Sequence, residues 1–272
     1  MDNKNTKSTA IIDNVTEYGS SAIGSATGAI IGGAIAGPAG AIGGSLGGTL
    51  IENILKWGGK EIKERLLSKT EEQKLETVHT LACKKITQNL DSGKRLRTDT
   101  YFSESTNNRS YAEEILERTL FAAQRECEDK KIKYYAKIYA NIAFDNSISR
   151  NMANQLLKLA EQLTYRQIVL LHTIGVQQMA TSPNFMKKTA YTSVNGLENV
   201  MIASEIYELY RMSLLSSSSV IFDSAGINPS ALSITGYGAL LFNLMELNIL
   251  EEDEDLPSIL SDVMLFLMDE KF

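Results

Sequence analysis

The stretch GAIIGGAIAGPAGAIGGSLGG, residues 28–48, lies inside a run of 34 residues without a charge, 18–51. Each glycine in a helix interior costs about 1 kcal/mol relative to alanine, so an ordinary soluble helix avoids this density. A flexible linker avoids the isoleucines, because linkers stay flexible by having nothing apolar to bury. A Walker-type phosphate loop needs a lysine after its second conserved glycine, and no lysine stands between Gly19 and Glu52. A dinucleotide fingerprint needs a preceding strand within a βαβ unit, and no strand pattern precedes this one.

Glycine spacing separates the readings that remain. Gly24, Gly28 and Gly32 recur every fourth residue, and Gly40, Gly44 and Gly48 repeat the spacing beyond Pro38. At 100° per residue the second set falls on one helix face with Gly47, while Ile42, Leu46 and Leu50 fall on the opposite face. The first half is less regular, since Ile31 and Ile35 approach the glycine stripe. Missing side chains along one face let two helix backbones come close, the main packing device of helices in lipid.

Pro38 breaks the run and acts as a hinge. Residues 18–36 and 39–57 then form two arms, each roughly 28 Å long as a helix and close to the bilayer core of about 30 Å. Glu52 and Lys56 end the second arm, and Trp57 between Lys56 and Lys60 has the character of an interfacial anchor. Such a hairpin is too glycine-rich to stand alone in water and too weakly apolar to insert singly. Many copies packed glycine face to glycine face are expected to insert together. Ile42, Leu46 and Leu50 would then face lipid or neighbouring subunits.

Thirteen of the nineteen glycines lie between Gly19 and Gly59, which places a boundary near residue 60. The expected organisation is a polar segment 1–17, a glycine-zipper helical hairpin 18–59 and a helical sensor or regulatory domain 60–272. The fold class is mainly α, with a small winged-helix-like β element. Residues 60–90 have apolar positions at helical spacing, and residues 91–109 read as a polar loop. Ser110 with Glu113 forms a capping-box pattern, and Ser149 and Thr164 open two further helices. Residues 198–215 read as a helix, 219–223 and 231–235 as short strands, and 236–250 and 258–268 as closing helices.

The chain has a net charge of −6 and a pI near 5.2, a poor balance for gripping phosphates, so no nucleic-acid partner is expected. Cys83 and Cys127, the only cysteines, are expected to be buried thiols in a reducing compartment. The mixed charges of residues 1–17 do not form a secretory signal, so the chain is expected in the cytoplasm at rest. His79 and His172 are expected to be packed against helices. The tyrosines of residues 134–139 are expected in the core, and the basic residues 93–97 and the acidic run 251–255 in solvated loops. No catalytic, metal-binding or cofactor-binding residues emerge, and no enzyme activity is expected.

Two stretches carry a resemblance. DKKIKYYAKIYANIAFDNSISRNMANQLLKLAEQLTYRQIVLLHTIG, residues 129–175, resembles the central region of bacterial abortive-infection proteins of the Abi-alpha type. The match runs through Tyr135, Ala136, Ile138, Ala140, Asn141 and Ile142 and then the Leu163–Thr164 step. SALSITGYGALLFNLMEL, residues 230–247, is similar to a later segment of the same family through Leu232, Ile234, Thr235, Gly238 and Leu241. The resemblance implies an antiphage effector that senses a phage protein, an oligomeric one among the candidates, and acts on the inner membrane. With the hairpin, the expected function is a toxin-like effector that oligomerises, moves to the inner membrane and permeabilises it. The alternative is a soluble helical adaptor or regulator that homo-oligomerises through its glycine-rich helices.

Overall fold

The computed structural model describes residues 58, 60–62, 67–103, 109–180, 186–187, 196–219 and 226–268. These residues are mainly helical, with one two-stranded antiparallel sheet. They divide into two compact units, with the division after Asn154.

In the first unit the helices are α1 (Lys69–Asp91), α2 (Tyr111–Arg125) and α3 (Ile132–Ile142), followed by the start of α4 (Arg150–Gln162). Helix α1 packs along α3, and α2 lies against both. The faces that meet are the apolar ones: Leu75, Val78, Ala82 and Ile86 of α1, Ile115, Leu116 and Leu120 of α2, and Ile138 and Ile142 of α3. Tyr134, Tyr135 and Tyr139 are all buried, so the tyrosine cluster belongs to the core as its helical spacing predicts. Their rings supply the bulk that holds three helices apart at a filled distance.

Side chains set where these helices start. Ser68 and Glu71 form a capping box: the Glu71 amide donates to Ser68 Oγ at 3.3 Å and the Ser68 amide donates to Glu71 Oε2 at 2.9 Å. This box begins α1 at Lys69 and makes Leu67 and Ser68 non-helical, so the pattern beginning at residue 60 is interrupted. The expected box at Ser110 is present, with Glu113 reaching back to the Ser110 amide at 2.7 Å. Ser149 Oγ accepts from the Met152 amide at 3.3 Å, as a helix-opening residue should.

The second unit contains the rest of α4, then α5 (Tyr165–Met179), α6 (Leu197–Arg211), β1 (Leu215–Ser217), β2 (Leu232–Ile234), α7 (Tyr237–Leu244) and α8 (Leu256–Leu267). Helix α5, opened by a Thr164–Gln167 capping box, is the spine of this unit. It packs against β2, α6, α7 and α8, and Ile168, Val169, Leu170, Leu171 and Ile174 are wholly buried. A helix with apolar residues buried around most of its circumference belongs at the centre of its unit. Gly175 admits α7 closely: a Cβ there would lie 2.3 Å from the Phe242 ring.

The first strand differs from expectation. The helix expected to continue through Leu215 ends at Arg211, and Ser213 turns the chain with φ at 59°. The strand that pairs with Leu232–Ile234 is Leu215–Ser217, and residues 220–223 of the expected strand lie outside the described residues. Register explains the choice. Leu215 opposes Ile234 and Ser217 opposes Leu232, while Ser216 and Ser233 meet on the other face with hydroxyls 2.9 Å apart. Alternation of this kind puts the apolar pair toward the core. Gly238 of α7 lies directly over this turn; a Cβ there would stand 1.9 Å from the Leu214 carbonyl oxygen.

Candidate functional site

The hairpin residues singled out in the sequence lie outside the described residues: Gly24, Gly28, Gly32, Gly40, Gly44 and Gly48, Ile42, Leu46 and Leu50, Pro38, and Trp57. The next residue in the chain, Gly58, is described, helical and buried. Its α-carbon rests against the imidazole of His79 and the Leu116 side chain. A Cβ there would lie 2.9 Å from two atoms of the His79 ring and 3.0 Å from Leu116 Cδ2. Ile62, one helical turn on, is 6% exposed. Residue 58 therefore meets α1 and α2 through a close backbone approach, and the Ile62 side chain is buried.

The polar loop after α1 is more constrained than its composition indicates. Gly93, Lys94 and Arg95 are exposed, but Arg97 is buried. This corrects the solvated reading of residues 93–97. The Arg97 guanidinium donates through Nη1 to the carbonyls of Ile148 at 3.0 Å and Ile142 at 3.3 Å, and through Nε to Asp99 Oδ1 at 2.8 Å. It also lies 4.4 Å from the centroid of the Tyr101 ring, a cation–π distance. Its own amide donates to the Ala143 carbonyl at 3.0 Å. Hydrogen bonds from Arg97 hold the Asp99 carboxyl below its usual range. The Tyr101 hydroxyl is buried with no hydrogen-bond partner, and burial pushes its pKa up.

Between α2 and α3, Glu126 gathers donors from four groups. The amides of Cys127 and Glu128 donate to Oε1 at 2.8 and 2.9 Å, while Lys131 Nζ stands 2.6 Å from Oε2 and the Tyr135 hydroxyl donates to the same oxygen. Lys74 Nζ reaches the Glu126 carbonyl and pairs with Asp129 at 3.2 Å. Burial pushes the Glu126 carboxyl up, but these hydrogen bonds outweigh it and leave the group below its ordinary range. Cys127 beside it is exposed, which corrects the expectation of two buried thiols. The other, Cys83, is half-buried, and desolvation pushes it up to about 12.

In the second unit Arg166 of α5 pairs with Glu198 and, at 2.6 Å through Nε, with Glu205 of α6. Burial pushes the Glu205 carboxyl above its usual range against the pull of Arg166. Gln167 donates to Glu208 at 2.9 Å. The outward turn of α6 presents Leu197, Val200 and Met201 to solvent, with Leu197 77% exposed. Helix α6 carries three glutamates and one arginine, the wrong sign for entering a nucleic-acid groove. His172 donates from Nδ1 to the Leu247 carbonyl at 2.6 Å, and burial pulls its pKa below the ordinary imidazole value against that bond. Within the acidic run, Asp253 is used structurally: it accepts from the amides of Asp255 and Leu256 at the start of α8 and from the Tyr165 hydroxyl.

Among the described residues no group of three or more His, Cys, Asp or Glu is placed to hold a metal ion, and no helix is long and apolar enough to cross a membrane. No protein-family model, no curated protein and no solved structure matches the chain.

Proposed function

We propose that the chain is an antiphage effector: a helical sensing body that, on meeting a phage protein, drives assembly of residues 18–59 into the inner membrane and permeabilises it. The observation that carries this reading is the paired glycine spacing within 34 uncharged residues, Gly24, Gly28, Gly32 and Gly40, Gly44, Gly48. Small residues at that spacing suit close helix packing in lipid, and the resemblance to abortive-infection proteins supplies the trigger class. In this reading Ile42, Leu46 and Leu50 face lipid or neighbouring copies, Trp57 sits at the interface, and residues 60–272 do the sensing. No catalytic step and no cofactor enter the mechanism.

The test is expression in cells with and without phage, following membrane potential and fractionation for wild type and for the Gly40→Leu/Gly44→Leu/Gly48→Leu variant. Depolarisation on infection that the variant loses is the expected result. Unchanged potential and soluble behaviour in both proteins would replace this reading with the adaptor. The exposed Leu197, Val200 and Met201 turn of α6 is an association surface such an adaptor would use.

A further inference from the structure

We infer that, independently of the membrane reading, the outer face where α6 meets α8 is a docking surface for a basic amphipathic helix of another protein. The two helices touch within the second unit, and both leave apolar side chains in solvent. Leu197, Val200 and Met201 of α6 are 77%, 44% and 43% exposed, and Leu265 of α8 is 65% exposed. Leu197, Val200 and Met201 stand at i, i+3 and i+4, so they share one helix face. Apolar exposure gathered in this way and rimmed by polar residues marks an interaction site.

Charge selects the partner. Arg166 of α5 pairs with Glu198 and Glu205 of α6, and Asp262 of α8 acts on the same guanidinium. Glu208 stands near enough to Glu205 to disfavour its charge. Four carboxylates therefore gather round one guanidinium. The exposed apolar residues lie within a helical turn of them, since Glu198 follows Leu197 and Leu265 comes three residues after Asp262. The one basic residue of α6, Arg211, is in its last turn, about 20 Å along the axis from Leu197. Elsewhere among the described residues of the second unit only Lys158 and Lys187 are basic.

That surplus of negative charge disfavours the other occupants of an apolar face. A second copy meeting this face about a twofold axis would set the carboxylates against themselves. Anionic headgroups would be repelled, whereas helices that lie on membranes carry Lys and Arg on their polar side. A helix with apolar anchors at the matching spacing and Lys or Arg beside them satisfies both halves of the surface.

The experiment uses the full chain and, as probe, a labelled leucine–lysine peptide about five turns long with its leucines on one face. Fluorescence anisotropy at low and moderate salt measures its binding. Leu197→Ser/Met201→Ser and Leu265→Ser should each weaken binding about tenfold, and Glu198→Gln should lessen its salt dependence. Phe121→Ser, at an exposed apolar residue of the first unit, should leave it unchanged. Unfolding midpoints of these surface variants should match wild type, which separates a lost contact from lost folding. A leucine–glutamate peptide of the same pattern should not bind. Wild-type affinity in both the α6 and the α8 variant overturns the docking surface, and so does equal binding of the glutamate peptide. Phosphatidylglycerol vesicles that retain wild type but not Leu197→Ser/Met201→Ser would mean that the face meets lipid. A smaller oligomer for that variant in light scattering would mean that it meets a second copy, and either result replaces the proposal. None of these readouts depends on membrane potential, so this inference and the effector reading fail separately.

Discussion

Lys131 Nζ and Glu126 Oε2 stand 2.6 Å apart with 4% and 9% of their side chains exposed. A buried ion pair is costly to assemble and costly to break from one side. Lys131→Met should destabilise the chain by about 3 kcal/mol, because it leaves a charged carboxylate with less compensation. Adding Glu126→Gln should recover most of that loss, since the amide can still meet the Tyr135 hydroxyl and a backbone N–H. Urea unfolding of the two single variants and the double measures the coupling. Additive losses would mean that the pair does not act as a unit.

Acid should act on the chain in two stages. His172 is held below its ordinary 6.5 by burial, so below that pH the unfolded chain takes up a proton that the folded one refuses. Stability falls there, and His172→Asn, which keeps a donor for the Leu247 carbonyl, should remove that part of the loss. Glu126, Glu114 and Asp99 are held low by Lys131, Arg150 and Arg97 respectively. Their stabilisation is complete above the unfolded carboxylate range, near 4, and disappears as pH falls through their lower folded values. Glu205, held high by burial, opposes the trend and gains on protonation. Unfolding midpoints at pH 7.5, 5.5, 4 and 3 would read both stages.

Tyr101 offers a substitution with an unusual sign. Its buried hydroxyl has no hydrogen-bond partner, a situation that costs about 1–3 kcal/mol. Tyr101→Phe keeps the ring beneath the Arg97 guanidinium and removes the orphaned group, so it should leave stability unchanged or raise it by about 1 kcal/mol. Arg97→Met should instead lose several hydrogen bonds at once and destabilise by about 3 kcal/mol. Thermal unfolding of the two variants side by side makes the comparison, and a destabilised Tyr101→Phe would mean that the hydroxyl has a partner.

The helices were legible because their apolar residues recur at helical spacing and because Ser110–Glu113 and Thr164–Gln167 mark their starts in one dimension. The same signal stood at Ser68–Glu71, where an uninterrupted periodic run masked it. The strand at 215–217 was missed because its plain Leu-Ser-Ser carries little strand signal of its own; its pairing is set by Leu232 and Ile234 across the sheet. Arg97 was unreadable for a different reason: its partners are main-chain oxygens 45 and 51 residues away, and a carbonyl leaves no mark in a sequence. The seat of Gly58 was hidden likewise, since a glycine at the end of a glycine-rich run gives no sign that a ring lies against it.

Because Arg97 grips Ile142 and Ile148 by their carbonyls, the identity of those two side chains is a matter of volume alone. Sequences descended from a common ancestor are free to exchange them among aliphatic residues of similar size without loosening the grip. Position 97 has no such freedom: a lysine lacks the planar fork that divides itself between two carbonyls and a carboxylate. Evolutionary drift in this region should therefore be lopsided, with an unvarying arginine in a stretch that otherwise looks like unconstrained surface.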